Sequence, residues 1–343
     1  TWPRVALTGT RAAVENGMDG LWVVSVADKA NPVKAYSFKP SGSSPDVTSV
    51  GSELVAYSSN YSGDYVEDFS LGASSATLLG KTAVAVPDGA RDIVADTSRV
   101  YLRAAVGSGP GDAVAAYSVS SRSLTAEAWS DTGPLAFGFA AAGTHAYAAE
   151  GANGIGVFDL AAVSGAAARV GVIKRAAVAL AVAVDGDRLH ALWRTDGAVD
   201  FVSYDISTRA APVEAAALRM PSASANRLVA RGGLVAAVAY DKIFVIGNAA
   251  GASPALASSS GYVPGGPIGS IGFIRDGMLA CAISASTAPA AGFLVLDLAD
   301  PAVPLVVGTA PVPAYANGLA VMDSRVYVRG LGTLAAYELA ETS

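Results

Sequence analysis

The sequence predicts an all-β fold, a β-propeller built from four-stranded antiparallel sheets. Two observations lead to this prediction: a short apolar stretch recurs along the whole chain, and glycine and proline interrupt the sequence at short intervals with almost no helical spacing between them. The clearest copy of the stretch is Gly292–Leu298, an apolar run that ends in an acidic residue and one further apolar residue before a turn. Such repeats are typical of arrays in which each repeat builds one sheet, or blade.

The small polar or acidic residue of this stretch marks the repeat eight times. The marked residues are Ser25, Ser70, Ser118, Asp159, Asp205, Gly247, Asp297 and Glu338. Successive positions are 45, 48, 41, 46, 42, 50 and 41 residues apart, and propeller repeats have a period of about 40–50 residues. We expect each marked residue at the end of the third strand of a blade, where Ser and Asp can accept hydrogen bonds from backbone N–H groups of the following turn.

Strands are predicted where β-branched and aromatic residues lie between Gly, Pro, Asp and Ser. In the first repeat, Arg4–Gly9 is predicted as the second strand, Thr10–Asp19 as a long loop, Leu21–Val26 as the third strand and Val33–Phe38 as the fourth. The next six repeats each give four strands: Asp46–Val50, Leu54–Ser58, Tyr65–Leu71 and Ala76–Val86; Asp92–Ala95, Arg99–Ala105, Ala113–Val119 and Leu124–Trp129; Leu135–Ala141, His145–Ala149, Ile155–Leu160 and Ala168–Ile173; Val178–Val184, Arg188–Trp193, Val199–Ile206 and Val213–Leu218; Arg227–Ala230, Leu234–Tyr240, Lys242–Ile246 and Ala255–Ser259; Ile268–Ile274, Met278–Ser284, Phe293–Leu298 and Val303–Val307. The last repeat gives three: Leu319–Met322, Arg325–Val328 and Leu334–Leu339.

The number of blades has two solutions. Seven innermost strands favour seven blades, with Val33–Phe38 beside Leu334–Leu339, so that an N-terminal strand closes the C-terminal blade and Arg4–Val26 forms an extra hairpin. The alternative is eight blades, the first without its innermost strand and the last without its outermost strand. In both arrangements, residues 1–343 are predicted to form a single propeller domain.

Composition excludes several classes of function. Charged residues make up 15% of the chain and the net charge is −6, whereas a typical soluble protein has about a quarter charged residues. Because no basic patch stands beside aromatic residues, we expect no nucleic-acid partner. The chain is 52% hydrophobic, yet it has no uncharged apolar run of about 18 residues, so we expect no membrane insertion. The low charge favours a surface that packs against copies of the chain or another protein.

Residues that could carry chemistry are few. His145 and His190 lie at similar places in the second strands of adjacent repeats, where we expect them to pack between blades, because a metal site would need further ligands. Cys281 lies in an apolar strand and is predicted to be a buried, inert thiol. The glycine-rich segments Gly107–Gly111 and Gly261–Gly269 have neither the lysine nor the helix of a phosphate loop. We therefore expect no catalytic residue, cofactor or metal.

Acidic and aromatic residues give no site either. The acidic cluster of Asp64, Glu67 and Asp68 lacks the spacing of a calcium loop, and we expect it in a solvated turn. The four tryptophans are dispersed, and three of them fall in predicted strands, where inter-blade packing is expected.

Several segments resemble a known repeat. These are the third-to-fourth-strand segments Gly20–Val33 and Phe293–Leu305, the weaker copy Tyr204–Ser207 with Pro212–Val213, and the second strands Ser98–Tyr101 and Ser324–Tyr327. They are similar to the LVIVD repeat of secreted bacterial and archaeal β-propellers. The resemblance implies an extracellular or cell-surface propeller, and the family supplies no shared catalytic residues.

These observations favour a non-catalytic scaffold over other functions. We expect an exported propeller, its signal already removed before Thr1, that assembles with itself or coats another extracellular component. The alternative is a propeller that binds a glycan or another small ligand at its central face, which predicts a polar, aromatic-lined funnel. A propeller enzyme is the least favoured, because such enzymes display several His, Asp, Glu or Arg residues around the axis.

Overall fold

The computed structural model describes residues 5–15, 20–28, 33–41, 43–60, 63–84, 90–95, 99–106, 111–130, 138–159, 161, 168–247, 249, 251, 254–257, 261, 266–284, 292–311, 316, 318–322, 325–330 and 333–338. Among these residues there are strands and turns but no helix. The strands, in chain order, are β1 (Val5–Thr8), β2 (Arg11–Glu15), β3 (Leu21–Ser25), β4 (Val33–Phe38), β5 (Ser43–Val50), β6 (Glu53–Asn60), β7 (Gly63–Leu71), β8 (Ala76–Val84), β9 (Ala90–Ala95), β10 (Arg99–Val106), β11 (Gly111–Ser118), β12 (Ser123–Ser130), β13 (Gly138–Ala142), β14 (His145–Ala149), β15 (Ile155–Asp159), β16 (Ala168–Ile173), β17 (Val178–Asp185), β18 (Arg188–Thr195), β19 (Ala198–Asp205), β20 (Val213–Met220), β21 (Arg227–Arg231), β22 (Leu234–Ala239), β23 (Lys242–Gly247), β24 (Ala255–Leu256), β25 (Ile268–Arg275), β26 (Met278–Ile283), β27 (Gly292–Asp297), β28 (Leu305–Pro311), β29 (Gly318–Met322), β30 (Arg325–Gly330) and β31 (Thr333–Glu338).

The strands form eight sheets, each made of strands that are consecutive in sequence. Seven sheets have four strands, β1–β4, β5–β8, β9–β12, β13–β16, β17–β20, β21–β24 and β25–β28, and the eighth has three, β29–β31. Each strand pairs with the next one along the chain, as in a meander. The structure has the eight sheets of the alternative rather than the seven that the sequence favours, and within the described residues the last sheet has no fourth strand, as that alternative expects.

The first sheet differs from the prediction. Val5–Thr8, predicted as a second strand, is the first strand of its sheet, and the second strand, Arg11–Glu15, lies in the segment predicted as a loop. Gly9, at φ 52°, and Thr10 form the short turn between them. The second strand escaped prediction because alanine has a low β propensity, although Ala12 and Ala13 are fully buried in this strand.

The N-terminal fourth strand does not extend the last sheet. Strand β4 pairs with β3, from Ser25 opposite Val33 to Leu21 opposite Phe38. In the described residues, β31 pairs with β30 only. The first and last sheets instead meet through side chains: Val14 and Val24 pack in one cluster with Tyr327.

The chain divides into two compact units. One comprises residues 1–131, 160–168 and 317–343, and it holds the sheets β1–β4, β5–β8, β9–β12 and β29–β31. Within it, the first strands β29, β1, β5 and β9 lie next to one another in that order. Apolar clusters fill the spaces between sheets; one joins Leu21 of the first sheet to Leu54 and Phe69 of the second.

The other unit comprises residues 132–159 and 169–316 and holds the sheets from β13 to β28. Its first strands β13, β17, β21 and β25 are likewise neighbours in chain order. Tyr147, Trp193 and Tyr204 pack between the sheets β13–β16 and β17–β20. Since a sheet with a neighbour on each face buries both faces, its strands need near-continuous apolar runs, as in β23 and β27.

Candidate functional site

The marked repeat residues lie where the sequence predicts them. Ser25, Ser118, Asp159, Asp205, Gly247, Asp297 and Glu338 are the last residues of the third strands of their sheets, and Ser70 is the last but one. The side chain of Glu338 lies outside the described part of the chain.

Two marked aspartates hold the turn that follows their strand. Asp205 Oδ1 accepts a hydrogen bond from the backbone N–H of Ser207 at 2.8 Å. Asp297 Oδ1 accepts the equivalent bond from Ala299 at 2.8 Å. The bonds from Ser207, with a smaller contribution from the Arg188 guanidinium 3.3 Å away, lower the pKa of the Asp205 carboxyl. A carboxylate bound to its own turn in this way has a structural role.

A β-bulge stands just before the marked residue and was not predicted. In five sheets the pairing of the third and fourth strands shifts register between the two residues that precede the marked residue. These steps are Val23/Val24, Asp68/Phe69, Ala116/Tyr117, Ser203/Tyr204 and Val295/Leu296. Each shift places one extra residue in the fourth strand, which increases the local twist.

The two histidines lie in separate sheets. His145 begins β14 opposite Asp159, its Nδ1 is 3.1 Å from Thr144 Oγ1, and partial burial lowers its pKa. His190 is fully buried in β18 and stacks on Phe201, with ring centroids 5.5 Å apart. Among the described residues, none of the His, Cys, Asp and Glu side chains form a group of three that could hold a metal ion.

His190 has no hydrogen-bond partner for either ring nitrogen in the described structure. Burial lowers the pKa of His190 to about 4, against a smaller opposing effect of Asp185. His190 is therefore neutral at physiological pH and lies on the same face of its sheet as Leu192, which packs against β21–β24. This is the packing position that the sequence predicts.

Cys281 is fully buried in β26. Burial raises the pKa of its thiol to about 12, because the effect of burial is larger than the opposing effect of Arg227. A thiol that remains protonated and inaccessible does not act as a nucleophile.

The acidic cluster of the second sheet is buried, so the expectation of a solvated turn is wrong. Asp64, Glu67 and Asp68 are all buried in β7. Glu67 is hydrogen-bonded: its Oε2 accepts from Ser41 N at 2.7 Å and from Ser58 Oγ at 2.8 Å. These bonds offset the cost of burying the carboxylate.

Asp68 shares one cation with a second carboxylate. Arg122 Nε lies 3.4 Å from Asp68 Oδ2, and Arg122 Nη2 lies 3.3 Å from Glu53 Oε1. Burial, together with the nearby Glu53 carboxylate, raises the pKa of Asp68 to about 7, although Arg122 acts in the opposite direction. The hydroxyl of Tyr117, from the neighbouring sheet, is buried beside the pair, and this burial raises its pKa to about 12.

Arg122 reaches this pair from the neighbouring sheet. It lies in the turn between β11 and β12 at φ 53°, in the left-handed region. Its side chain lies across Gly80 of β8, where an added Cβ would be 2.8 Å from Arg122 Cδ. The ion pair therefore joins two sheets, and its geometry depends on the absence of a side chain at Gly80.

The other unit also contains a buried carboxylate that is paired with an arginine. Glu150, after β14, forms an ion pair with Arg169 of β16. A Cβ at Gly156 would collide with the Glu150 carboxylate, so the absence of a side chain at this position makes room for the acid.

One cavity of about 350 Å³ lies among β1, β5 and β29, which are the first strands of three sheets. It is lined by Val5, Ala6, Leu7, Val47, Thr48, Ser49, Leu319 and Ala320. This lining contains the hydroxyls of Thr48 and Ser49 but no charged or aromatic side chain, so the cavity lacks the aromatic lining that the ligand-binding alternative predicts. The part of the chain that the structure describes contains no helix that could span a membrane.

Solved structures share this arrangement over nearly the whole chain. Saccharomyces cerevisiae Sqt1 matches with a TM-score of 0.73 and 10% sequence identity, over 98% of this chain and 95% of Sqt1. The Dos1 propeller matches with a TM-score of 0.69 and 11% identity, over 98% of this chain and 92% of that one. A chain of the mitotic checkpoint complex matches with a TM-score of 0.58 and 11% identity, over 84% of this chain and 86% of that one.

The fold is a β-propeller. Identities this low show the fold alone. No protein-family model matches the sequence, and a search of curated proteins found no match.

The surface feature that sequence reasoning missed is the outer strand of the sheet β25–β28. Val303, Leu305, Val306 and Val307 are 57%, 59%, 45% and 45% exposed. The signal that could have revealed it is the absence of charge: β28 and the three residues before it contain no Asp, Glu, Lys or Arg. An uncharged aliphatic segment in an outer strand is a candidate contact surface.

Proposed function

We propose that this propeller is a non-catalytic scaffold that acts through contacts with other protein chains, either copies of itself or a separate partner. The observation that carries this proposal is the position of the exposed large hydrophobic side chains. In the described part of the chain, nine of the ten lie on or just before a fourth strand: Val33, Leu78, Val170, Val172, Val213, Val303, Leu305, Val306 and Val307. Fourth strands form the outer edges of the sheets, where another chain can reach them.

The scarcity of charge supports the same proposal. Isolated exposed apolar residues are ordinary, but an adjacent group in a weakly charged edge strand favours association. With charged residues at 15% of the chain, the surface offers less of the repulsion that keeps soluble proteins apart.

A structural role for the candidate chemical groups also supports a non-catalytic function. Asp205 and Asp297 bind their own turns, His190 is neutral and packed on Phe201, and Cys281 is a buried thiol with a raised pKa. The two aspartates are bound by their own turns, and His190 and Cys281 are fully buried.

We also propose an extracellular or cell-surface location. Its support is the resemblance of Gly20–Val33 and Phe293–Leu305 to the repeat of secreted propellers. Treatment of intact cells of the native source with a membrane-impermeant amine reagent tests this location. Labelling of the protein before lysis supports it, and labelling only after lysis contradicts it.

Chemical crosslinking in the native source tests the scaffold function. The expected result is a stoichiometric adduct that contains a second copy or one defined partner, identified by mass spectrometry. Recovery of uncrosslinked monomer alone, or turnover of a hydrolase or lyase substrate by the purified chain, contradicts the proposal.

A further inference from the structure

We infer that strand β28 is a self-association surface, on which a second copy of this chain docks by pairing its own β28 in antiparallel orientation. The inference rests on the proposed scaffold function and names the contact surface and the partner. It starts from four adjacent aliphatic side chains, those of Val303, Leu305, Val306 and Val307, each about half exposed or more.

The exposure of consecutive residues follows from the position of the strand. A strand with one buried face would bury every second side chain. Strand β28 is the last of its sheet and carries the extra residue of the bulge, Val307, opposite the step from Val295 to Leu296. Leu305, Val306 and Val307 are therefore all exposed, and the apolar surface extends over both faces of the strand.

The lack of charge distinguishes β28 from the other fourth strands. Charged side chains are one of the features that protect an edge strand against pairing. Among the fourth strands of six or more residues, each one except β28 has at least one: Lys34 in β4, Lys81 in β8, Glu127 in β12, Arg169 in β16, and Glu214 and Arg219 in β20. Strand β28, with the sequence LVVGTAP, has none.

The outer edge of β28 and its lack of charge indicate that the partner is a second copy of this chain. In the described residues, β28 pairs with β27 on one side only, so its other edge can pair with a further strand. Two identical strands that pair in antiparallel orientation are related by a twofold axis, which gives a closed dimer. Identical charged strands would place like charges close together across that axis, but β28 has no charge to repel its copy.

The area predicts a weak dimer. Four half-exposed aliphatic side chains present on the order of 300 Å² per copy, the size of a functional surface patch. Two copies then bury roughly 600 Å² of side-chain surface, below the ~1,200 Å² of a standard stable interface. The remaining stabilisation must come from backbone hydrogen bonds between the two edges, so the association is expected to depend on concentration.

Sedimentation equilibrium of the full chain over a wide concentration series tests the inference. The wild type is expected to show a reversible monomer–dimer equilibrium. A pairing that overlaps the exposed residues Leu305–Val307 of the two copies is centred on Val306. Val306→Lys then places like charges near the twofold axis and is expected to weaken the dimer by about tenfold or more. Val213→Lys in β20 is the matched control: Val213 is 64% exposed in the same unit, and its substitution is expected to leave the equilibrium unchanged.

A charge-swap mixture identifies the surface independently. Val306→Lys and Val306→Glu are each expected to be monomeric, and their equimolar mixture is expected to recover a heterodimer, which excludes misfolding as the cause. A wild type that is monomeric throughout, an unchanged dimer in Val306→Lys, an equal loss in Val213→Lys or no heterodimer in the mixture would overturn the inference. A monomeric wild type that still yields a defined hetero-partner by crosslinking would overturn only this inference and leave the scaffold function intact.

Discussion

His190 makes the stability of the propeller depend on pH in a direction that can be calculated. The ring is fully buried, and neither nitrogen has a hydrogen-bond partner in the described structure. Its pKa falls from 6.5 to about 4 on folding. Between these values the unfolded chain binds a proton that the folded chain does not, so lowering the pH favours unfolding. The contribution of the neutral ring to stability is fully present above pH 6.5 and is lost as the pH falls towards 4.

The size of this effect follows from the shift. Each pKa unit corresponds to about 1.4 kcal/mol, so the full shift is worth about 3 kcal/mol. His190→Leu has a side chain that stays uncharged at every pH, can still pack on Phe201 and leaves no polar atom unpaired. We expect the variant to equal or exceed the wild type in stability at neutral pH, and the difference in its favour to grow by about 3 kcal/mol at acidic pH.

Denaturant unfolding followed by tryptophan fluorescence, repeated at steps between pH 7 and 4, measures both proteins. The difference between them isolates His190 from every other titrating group. His145→Leu is the control: the His145 ring is only partly buried, so its variant is expected to show a smaller difference. If the curves of the wild type and His190→Leu remain parallel over the whole range, the buried-histidine reasoning is refuted.

Three further predictions concern other buried or turn-binding groups, and two of them have a control variant. Folding raises the pKa of Asp68 from 3.8 to about 7, so between these values the folded state keeps a proton that the unfolded state loses. The free energy of unfolding of the wild type therefore falls as the pH rises from 3.8 to about 7. Asp68→Asn should remove this pH dependence, which the same unfolding series measures. Gly156→Ala should lower the free energy of unfolding by about 1–3 kcal/mol, because the new methyl group collides with the Glu150 carboxylate. Gly171→Ala, whose Cβ would lie 3.6 Å from its nearest neighbour, should change thermal stability by no more than about 0.5 kcal/mol. Asp297→Ala should cost about 1 kcal/mol and speed amide exchange in the following turn, whereas Asp297→Asn keeps an acceptor and should show neither effect.

The sequence predicts the third strands well because their burial leaves a local pattern. Phe293–Leu296 is apolar at every position since both faces of the strand are covered, and Asp297 then stops the run at a turn that it binds itself. Both signals lie within a few residues of each other, so they can be recognised without knowledge of the rest of the fold.

Features that depend on distant residues could not be predicted in this way. The burial of Asp68 depends on Arg122, which arrives from a turn in the next sheet, and a run of acidic residues by itself is typical of a solvated segment. Strand β2 was not predicted because its alanines are weak strand formers, although Ala12 and Ala13 are fully buried. The exposure of Leu305 and Val306 was not predicted, because two adjacent aliphatic residues indicate a buried position unless their strand is known to be the last of its sheet.

In antiparallel hairpins, the length of the turn usually decides which face of the sheet each side chain of the second strand lies on. The bulge that precedes the marked residue makes these two properties independent. In the five sheets with the register shift, the connection between the third and fourth strands has four residues after Leu71 and Ser118 and seven after Ser25, Asp205 and Asp297, yet the shift occurs at the same step. The number of residues in the loop is therefore free to vary without turning the outer strand over. These connections are suitable positions for grafting foreign peptides, whose length would not have to be matched to the host.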